Sequence, residues 1–499
     1  MSISYANPIA GDANTRSMAR AAMPWLAGAT AYLIFLSLGE ILLRDSDTLW
    51  QIRIGQWIVE HGAMPYTDVH SFTRFGEPWI SSSWLSQVLF AGAYGALGWA
   101  GPVILTSVAI GTTVAIFMHL MDGYLDPART ILLVTLAVLE SATHFLARPH
   151  MLAFPVMVAF LGGLLAAADR RSAPSWLLLP LLALWANLHG GFVLGIALIG
   201  PIGLEAIWNC QRKDRIALAA RWTLFGIAAV VACCCTPYGW NTLLGAAKIL
   251  SLGKLLSMIW EWMPANFATW SFFQLTLLGL IGFAFYRGLT LSVPRIMLLL
   301  GLLWMALSHA RNIEIFAFIA PLVLAKPFAE QLGTLQTLVP ARENRVRSHV
   351  MMLAVLAVAG WACTKAFVAY HPVKFLEAQM PVRAVEVLQQ HRIERVFNTA
   401  PFGGYLLSRD IKAFIDGRAE LYGERFVLDY FDAVTATDVE TLLRLLDDYR
   451  IDGTLLAPTL PATKVLDHLP GWKRLYSDSI AVIHVRDDQR KTRPSAAPK

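Results

Sequence analysis

The chain has 499 residues, of which 56% are apolar and only 15% charged, against roughly 25% charged in an average soluble domain. That balance excludes a disordered chain, a fibrous repeat and an ordinary soluble enzyme. The net charge of +6 (41 basic against 35 acidic residues) makes no case for nucleic-acid binding. Several apolar runs approach or exceed the ~17–25 residues that carry a helix across a bilayer, which specifies a polytopic membrane protein.

In chain order, a polar start with Arg16 and Arg20 precedes a run over Ala22–Leu43. The run is too long for a signal-peptide core, so an uncleaved anchor with a cytoplasmic N-terminus (1–21) is expected. Further runs are Trp84–Trp99, Pro102–Met121, Thr130–Phe145, Met151–Ala168, Trp176–Ala186 and Gly190–Trp208. They continue with Ile216–Cys235, Phe272–Tyr286, Val293–Leu307, Ile313–Ala325 and Val350–Val368.

The basic connections at Arg170/Arg171, Arg212/Lys213/Arg215, Arg287 and Lys326 with Arg342/Arg345/Arg347 fall on alternate turns, which assigns those turns to the cytoplasm. The turns Arg148–His150, Asn187–Gly191, Thr236–Trp270 and Ser308–Asn312 then face outward. An even number of crossings would return the C-terminus to the cytoplasm, so one run is not a full crossing. The short Trp84–Trp99 run, ending at a Gly/Pro break, is the one expected to fall out.

Two segments are not membrane. Residues 44–83 form a polar first external loop within the membrane module (22–370). Residues 371–486 alternate helical and strand patterns: helices over Val382–Gln390 and Asp438–Tyr449, strands over Arg395–Asn398, Ala413–Asp416, Thr454–Ala457 and Ile480–Val485. This predicts a small extracytoplasmic α/β domain. The tail 487–499, rich in Arg, Lys, Pro and Ser, reads as disordered. The five cysteines show neither CxxC nor Cys/His ligand spacing, so a zinc site or disulfide framework is not expected.

The first loop opens Arg44-Asp45-Ser46-Asp47. Two carboxylates two residues apart at a membrane surface can deprotonate an acceptor hydroxyl, hold a divalent cation such as Mg²⁺ or Mn²⁺ against a phosphate, or simply cap a helix at the headgroups. Polar side chains recur at the outward turns: Arg148 and His150, Asn187 and His189, Glu261, and Arg311. Such groups at helix ends are costly unless paired or facing a wet cavity. Guanidinium makes bidentate, charge-assisted bonds to phosphate, so Arg148 and Arg311 suit a lipid-linked phosphate. His150 or His189 can protonate a leaving phosphate, position an acceptor, or serve only as interhelical hydrogen bonds. Trp260-Glu261-Trp262 belongs to an external amphipathic stretch (236–270) whose apolar spacing from near Asn241 suits a helix lying along the headgroups. In the tail, Gly403-Gly404 allows close backbone approach, while Asp416, Arg418 and Glu420 read as a structural ion-pair turn of the kind common on surfaces.

The loop pattern Asp47-x2-Trp50-x4-Gly55-x-Trp57-Ile58-x2-His61-Gly62-x2-Pro65-x2-Asp68-x2-Ser71-x-Thr73-x2-Gly76-x2-Trp79 resembles the first-loop signature of bacterial membrane proteins related to the GT-C glycosyltransferases. That group includes the protein O-mannosyltransferases and the lipid A aminoarabinose transferase. Ala147-Arg148-Pro149-His150, Trp185 to Gly191, Pro237-Tyr238-Gly239, Glu261-Trp262, Arg311-Asn312, Phe397-Asn398, Gly403-Gly404-Tyr405 and Phe414 to Arg418 extend the resemblance over most of the chain.

The resemblance implies a mainly α-helical GT-C-like bundle of about 11–13 membrane helices with a C-terminal extracytoplasmic α/β domain. It further implies an inverting glycosyltransferase of the inner membrane, with its site and C-terminal domain facing the periplasm. The donor would be a polyprenyl-phosphate sugar and the acceptor an envelope glycan, lipid or protein; no cofactor is required. It places Asp47, with Asp45 beside it, at the catalytic centre together with His150. Arg148, Asn187, His189, Arg311, Glu261, His61 and Asp68 are the expected substrate-binding residues. A non-catalytic scaffold of a polysaccharide assembly machine is the second reading. A transporter ranks last, because no internal repeat is evident.

Overall fold

The computed structural model describes residues 8–250, 253–256, 258–333, 345–375 and 379–487, with the side chains of 8–21 and a few further positions left aside. The chain divides into two compact units: one made of residues 1–42, 100–239 and 259–373, the other of 43–99, 240–258 and 374–499.

The first unit is a helical bundle. Six helices among the described residues are long and apolar enough to cross a membrane, over Ala100–Asp122, Pro149–Asp169, Phe192–Asn209, Arg212–Cys233, Ala310–Gln331 and Met352–Tyr370. Shorter apolar helices accompany them, including Leu178–Leu188 and Phe272–Arg287. At 1.5 Å per residue an 11-residue helix reaches only about 16 Å. A stretch that short is tolerated at membrane depth where neighbouring helices enclose it.

Helix contacts rely on small residues, as expected where lipid and side chain are equally apolar. A Cβ on Gly28 would lie 2.6 Å from the Gly111 carbonyl oxygen, and one on Gly111 would lie 2.7 Å from that of Gly28. The Pro8–Ser37 and Ala100–Asp122 helices thus meet backbone to backbone.

Polar groups collect at both ends of this bundle. At one end Arg295 pairs with Asp169 (2.7 Å) and Glu205 (2.5 Å). Lys326 Nζ donates to the Asp169 carbonyl (2.7 Å) and Tyr124 Oη to its carboxylate (3.0 Å). Arg148, His189, Glu261 and Arg311 sit at the opposite helix ends. This alternation of helix direction is the one that the spacing of basic turns predicts.

In the second unit, the helix Asp47–His61 packs on Trp84–Leu97. The latter, with 14 residues, spans about 21 Å. It buries Ser86 and Gln87, and Gln87 Nε2 donates to Gln51 Oε1 (2.8 Å). The apolar run expected to fall short of a crossing is therefore a packing partner of the first-loop helix.

A four-stranded sheet follows: β1 (Val396–Asn398), β2 (Gly453–Leu456), β3 (Trp472–Ser477) and β4 (Val482–Arg486), in the order β1-β2-β4-β3. β1 and β2 are parallel, whereas β4 runs antiparallel to both β2 and β3. Ala413–Asp416, expected as a strand, is not one. It pairs with the first loop through a single bridge, Phe72 N donating to Ala413 O (3.2 Å) and Ala413 N to His70 O (3.3 Å). The Asn398 amide holds its other edge, accepting from Phe414 N (2.9 Å) and donating to Ile415 O (2.8 Å). The first loop and the tail, far apart in sequence, thus share one unit. The stretch expected as one headgroup helix divides at 258/259: its Asn241–Leu250 helix belongs to the loop–tail unit, and Glu261 to the bundle.

The Gly28–Gly111 contact predicts that Gly111→Val destabilises the protein by about 1–3 kcal/mol through overpacking. Gly279→Ala, whose added Cβ meets nothing within 4 Å, leaves the thermal unfolding midpoint in detergent unchanged or slightly raised. Equal midpoints for the two variants would contradict the close approach.

Candidate functional site

Two groups of candidate residues form, one in each unit. In the loop–tail unit, Asp45 Oδ1 accepts from the backbone N of Asp47 (2.9 Å), which opens the first-loop helix. Asp47 Oδ1 accepts from Trp50 Nε1 one turn on (3.0 Å). Asp47 remains partly exposed in the first turn of that helix.

The tail glycines explain how it is held. A Cβ on Gly417 would lie 2.5 Å from Asp47 Oδ1 and 2.9 Å from Trp50 Nε1, and one on Gly404 would lie 2.5 Å from the Ser46 carbonyl oxygen. Gly417 and Gly404 are thus positions where the tail backbone comes up against the carboxylate segment. The sequence shows paired glycines but not what they approach.

Gly417 is fixed by a buried network that joins the loop motif to the tail motif. Arg418 Nη1 donates to Asp68 (2.6 Å), while its Nε and Nη2 donate to Asp416 (2.9 and 2.6 Å). Asp68 also accepts from Ser71 N and Oγ (3.0 and 2.6 Å) and from His70 N (3.1 Å). Tyr422 Oη donates to Asp416 (2.9 Å), and Trp79 Nε1 to Glu420 (3.1 Å).

Burial alone would raise the Asp416 carboxyl, but the Arg418 guanidinium holds it below the usual carboxylate range. Burial raises Glu420, opposed by the Trp79 bond. Asp68, expected to bind substrate, is instead fully buried and holds Arg418. The Asp416–Arg418 turn is structural as read, but interior rather than on the surface. His61 lies exposed at the end of its helix, with Nδ1 donating to Trp57 O (2.9 Å) and its ring stacked on Trp57.

In the bundle, Arg148 precedes Pro149 and is therefore extended (φ −123°, ψ 158°). Its Nη1 pairs with Glu261 Oε1 at 2.5 Å. Arg311, in the turn between Val293–Ser308 and Ile313–Gln331, stacks over the Trp262 ring at 4.5 Å. The Glu261 segment is tied to that turn: Ala310 N donates to Met263 O (2.9 Å) and His309 Nδ1 to Trp262 O (2.7 Å). Burial would raise the Glu261 carboxyl, but Arg148, Arg311 and His144 hold it below its usual value.

The two histidines lie together, with ring centroids 6.2 Å apart, edge to face. His189 Nδ1 accepts from Gly191 N (3.1 Å), which assigns its proton to Nε2. Burial, with His150 and Arg311 nearby, pushes His189 well below its usual range. It is a neutral hydrogen-bond donor, so the proton-donating acid the sequence allowed is not a charged His189. His150 Nε2 donates to His144 O (3.1 Å).

Asn187 bridges two helices, its Nδ2 donating to Ala183 O (2.8 Å) and Cys235 O (2.9 Å), which is a fastening role. Glu314, one turn past Arg311, escaped the sequence reading because it looks like an isolated acid opening an apolar helix. It is buried within electrostatic reach of Arg311, Glu261 and Arg148, and its Oε2 has no hydrogen-bond partner among the described residues.

Among the described residues, no group of three or more His, Cys, Asp or Glu is arranged to hold a metal ion.

His70 offers a test of the loop–tail network. Burial and the nearby Arg418 push its imidazole down to about 4, against the pull of Asp68 and Asp416, with Arg53 adding to the depression. The unfolded chain therefore takes up a proton near pH 6.5 that the folded one refuses. Stability should fall as pH drops from about 6.5 to about 4, and His70→Asn should flatten that limb of the thermal-midpoint profile. Asp416 stabilises the fold above the ordinary carboxyl range and shapes the profile only at lower pH, where that stabilisation is lost as pH falls through its depressed value. An unchanged slope in the His70 variant would rule the imidazole out as its source.

No family model matches the chain, and no curated protein matches it. Among solved structures it is similar to the archaeal oligosaccharyltransferase AglB of Archaeoglobus fulgidus in complex with an inhibitory peptide and a dolichol-phosphate. That match has 12% identity and a TM-score of 0.49, over 87% of this chain and 69% of that one. An apo-form oligosaccharyltransferase of Archaeoglobus fulgidus matches at 12% identity and a TM-score of 0.45, over 86% and 69%.

Proposed function

We propose that this protein is a membrane glycosyltransferase of the GT-C type that moves a sugar from a polyprenyl-phosphate carrier to an acceptor hydroxyl on the extracytoplasmic side. The observation that carries the reading is the cluster at one end of the bundle. Two guanidiniums gather with Glu261 and the buried Glu314, beside paired imidazoles, at the ends of membrane-length apolar helices. Cations in such a place need an anion, and a phosphate whose tail lies in the bilayer supplies one. The first-loop signature, with Asp47 opening its helix, supports the transfer chemistry.

In this mechanism the acceptor oxygen attacks the anomeric carbon from the face opposite the phosphate and gives up its proton to a carboxylate, the role that the first-loop signature implies for Asp47. The bond from that carbon to the phosphate oxygen breaks, and the carrier departs as polyprenyl phosphate. Arg148 and Arg311 neutralise the charge that grows on the leaving oxygen. Neutral His189 contributes its Nε2–H as a hydrogen-bond donor.

Purified wild type should move label from a polyprenyl-phosphate sugar to an acceptor or to water. Asp47→Asn should lower turnover by about 10²–10⁴-fold, the scale of a lost general base. Arg148→Ala should lower it by roughly 10²-fold or more. A folded wild type that moves no label from several such donors would favour the scaffold reading.

A further inference from the structure

The Arg148–Glu261 pair differs from the other buried ion pairs in being accessible, its side chains retaining 20% and 28% of their exposure. We infer that Glu261 is a resident stand-in for the phosphate, holding the guanidinium of Arg148 in place until a phosphate group displaces its carboxylate; this rests on the function proposed above. Glu261 would then compete with the substrate rather than bind it.

Three observations carry the inference. Glu261 Oε1 occupies a hydrogen-bonding position on Arg148 Nη1 that a phosphate oxygen would use, because carboxylate and phosphate oxygens offer guanidinium the same acceptor geometry. The same carboxylate feels Arg311 and His144, so it lies where the positive field of the cluster converges. Finally, the backbone around it is anchored: Trp262 N donates to Ile259 O (2.8 Å), Ala310 N to Met263 O (2.9 Å) and Ala265 N to Leu307 O (2.9 Å). The Glu261 side chain can swing away while Trp262 stays under Arg311. The Arg148 guanidinium is then left to meet an incoming phosphate, with the positive charge of Arg311 nearby.

The test is binding of farnesyl phosphate and, separately, of inorganic phosphate to the full-length protein in detergent, for wild type, Glu261→Gln, Glu261→Asp and Arg148→Ala. Glu261→Gln should bind farnesyl phosphate roughly tenfold more tightly than wild type, on the scale of one charge-assisted hydrogen bond no longer competing. Glu261→Asp should stay near wild type, and Arg148→Ala should lose binding. Thermal unfolding adds a second readout: Glu261→Gln should start lower without ligand and gain more on adding it.

Equal or weaker binding by Glu261→Gln, with wild type binding normally, would make Glu261 a substrate ligand and overturn the inference while leaving the proposed function intact. Inorganic phosphate bound as well as farnesyl phosphate, with the same order of variants, would support the stand-in but remove the lipid from the proposed function. No binding of either probe to any variant would overturn both.

Discussion

Charge held away from water has to be paired, and Arg418, Arg295 and Arg148 meet that constraint to different degrees. Arg418 is fully enclosed with Asp68 and Asp416, all at 0% side-chain exposure. Arg295 keeps 4%, against 9% and 3% for Asp169 and Glu205. In such settings, removing one partner typically costs about 3–5 kcal/mol, because the other charge is stranded. These two three-residue clusters hold structure together. The Arg148–Glu261 pair is of another kind: it is wet enough to open, yet both members lie in the field of further charges. An ion pair that can exchange one anion for another is what a phosphate-binding site needs before its ligand arrives.

The enclosed Arg418 network also gives the loop–tail unit its purpose. Asp68, Ser71 and Trp79 of the first loop meet Asp416, Arg418 and Glu420 of the tail through specific buried bonds. The outcome is the position of Gly417 and Gly404 against Asp47 and Ser46. Within this unit the motif residues fall into two roles: Asp47 presents a carboxylate, and most of the others build the wall behind it. A side chain at Gly417 would collide with that carboxylate, which is why a residue without Cβ is needed there.

Much of this was legible in the sequence. Hydropathy marked the helices long and apolar enough to cross a membrane. The helices Val382–Gln390 and Asp438–Tyr449 announced themselves by amphipathic spacing, and Asp438 does cap its helix through Thr441 N. What the sequence withheld depends on partners distant along the chain. Ala413–Asp416 has strand composition, but its neighbours are the first loop and the Asn398 side chain, so it makes one bridge and no ladder. Asp68 looks like any loop carboxylate until Arg418 is seen beside it. The strand β3, with Lys473 and Arg474 side by side in it, carries no apolar alternation strong enough to reveal it. Glu314 was invisible for a related reason: an acid in the first turn of a helix is ordinary, and only the fold gathers Arg311, Arg148 and Glu261 around it.

In the proposed function, the half-buried Arg148 and Arg311 at one end of the bundle receive the phosphate of a polyprenyl lipid. The most direct measurement is an electron cryomicroscopy structure of the full-length protein in lipid nanodiscs with bound polyprenyl phosphate. The account predicts the phosphate within hydrogen-bonding distance of Arg148 and Arg311, with the Glu261 carboxylate turned away. Lipid phosphate bound elsewhere, with the Arg148–Glu261 pair intact, would contradict it.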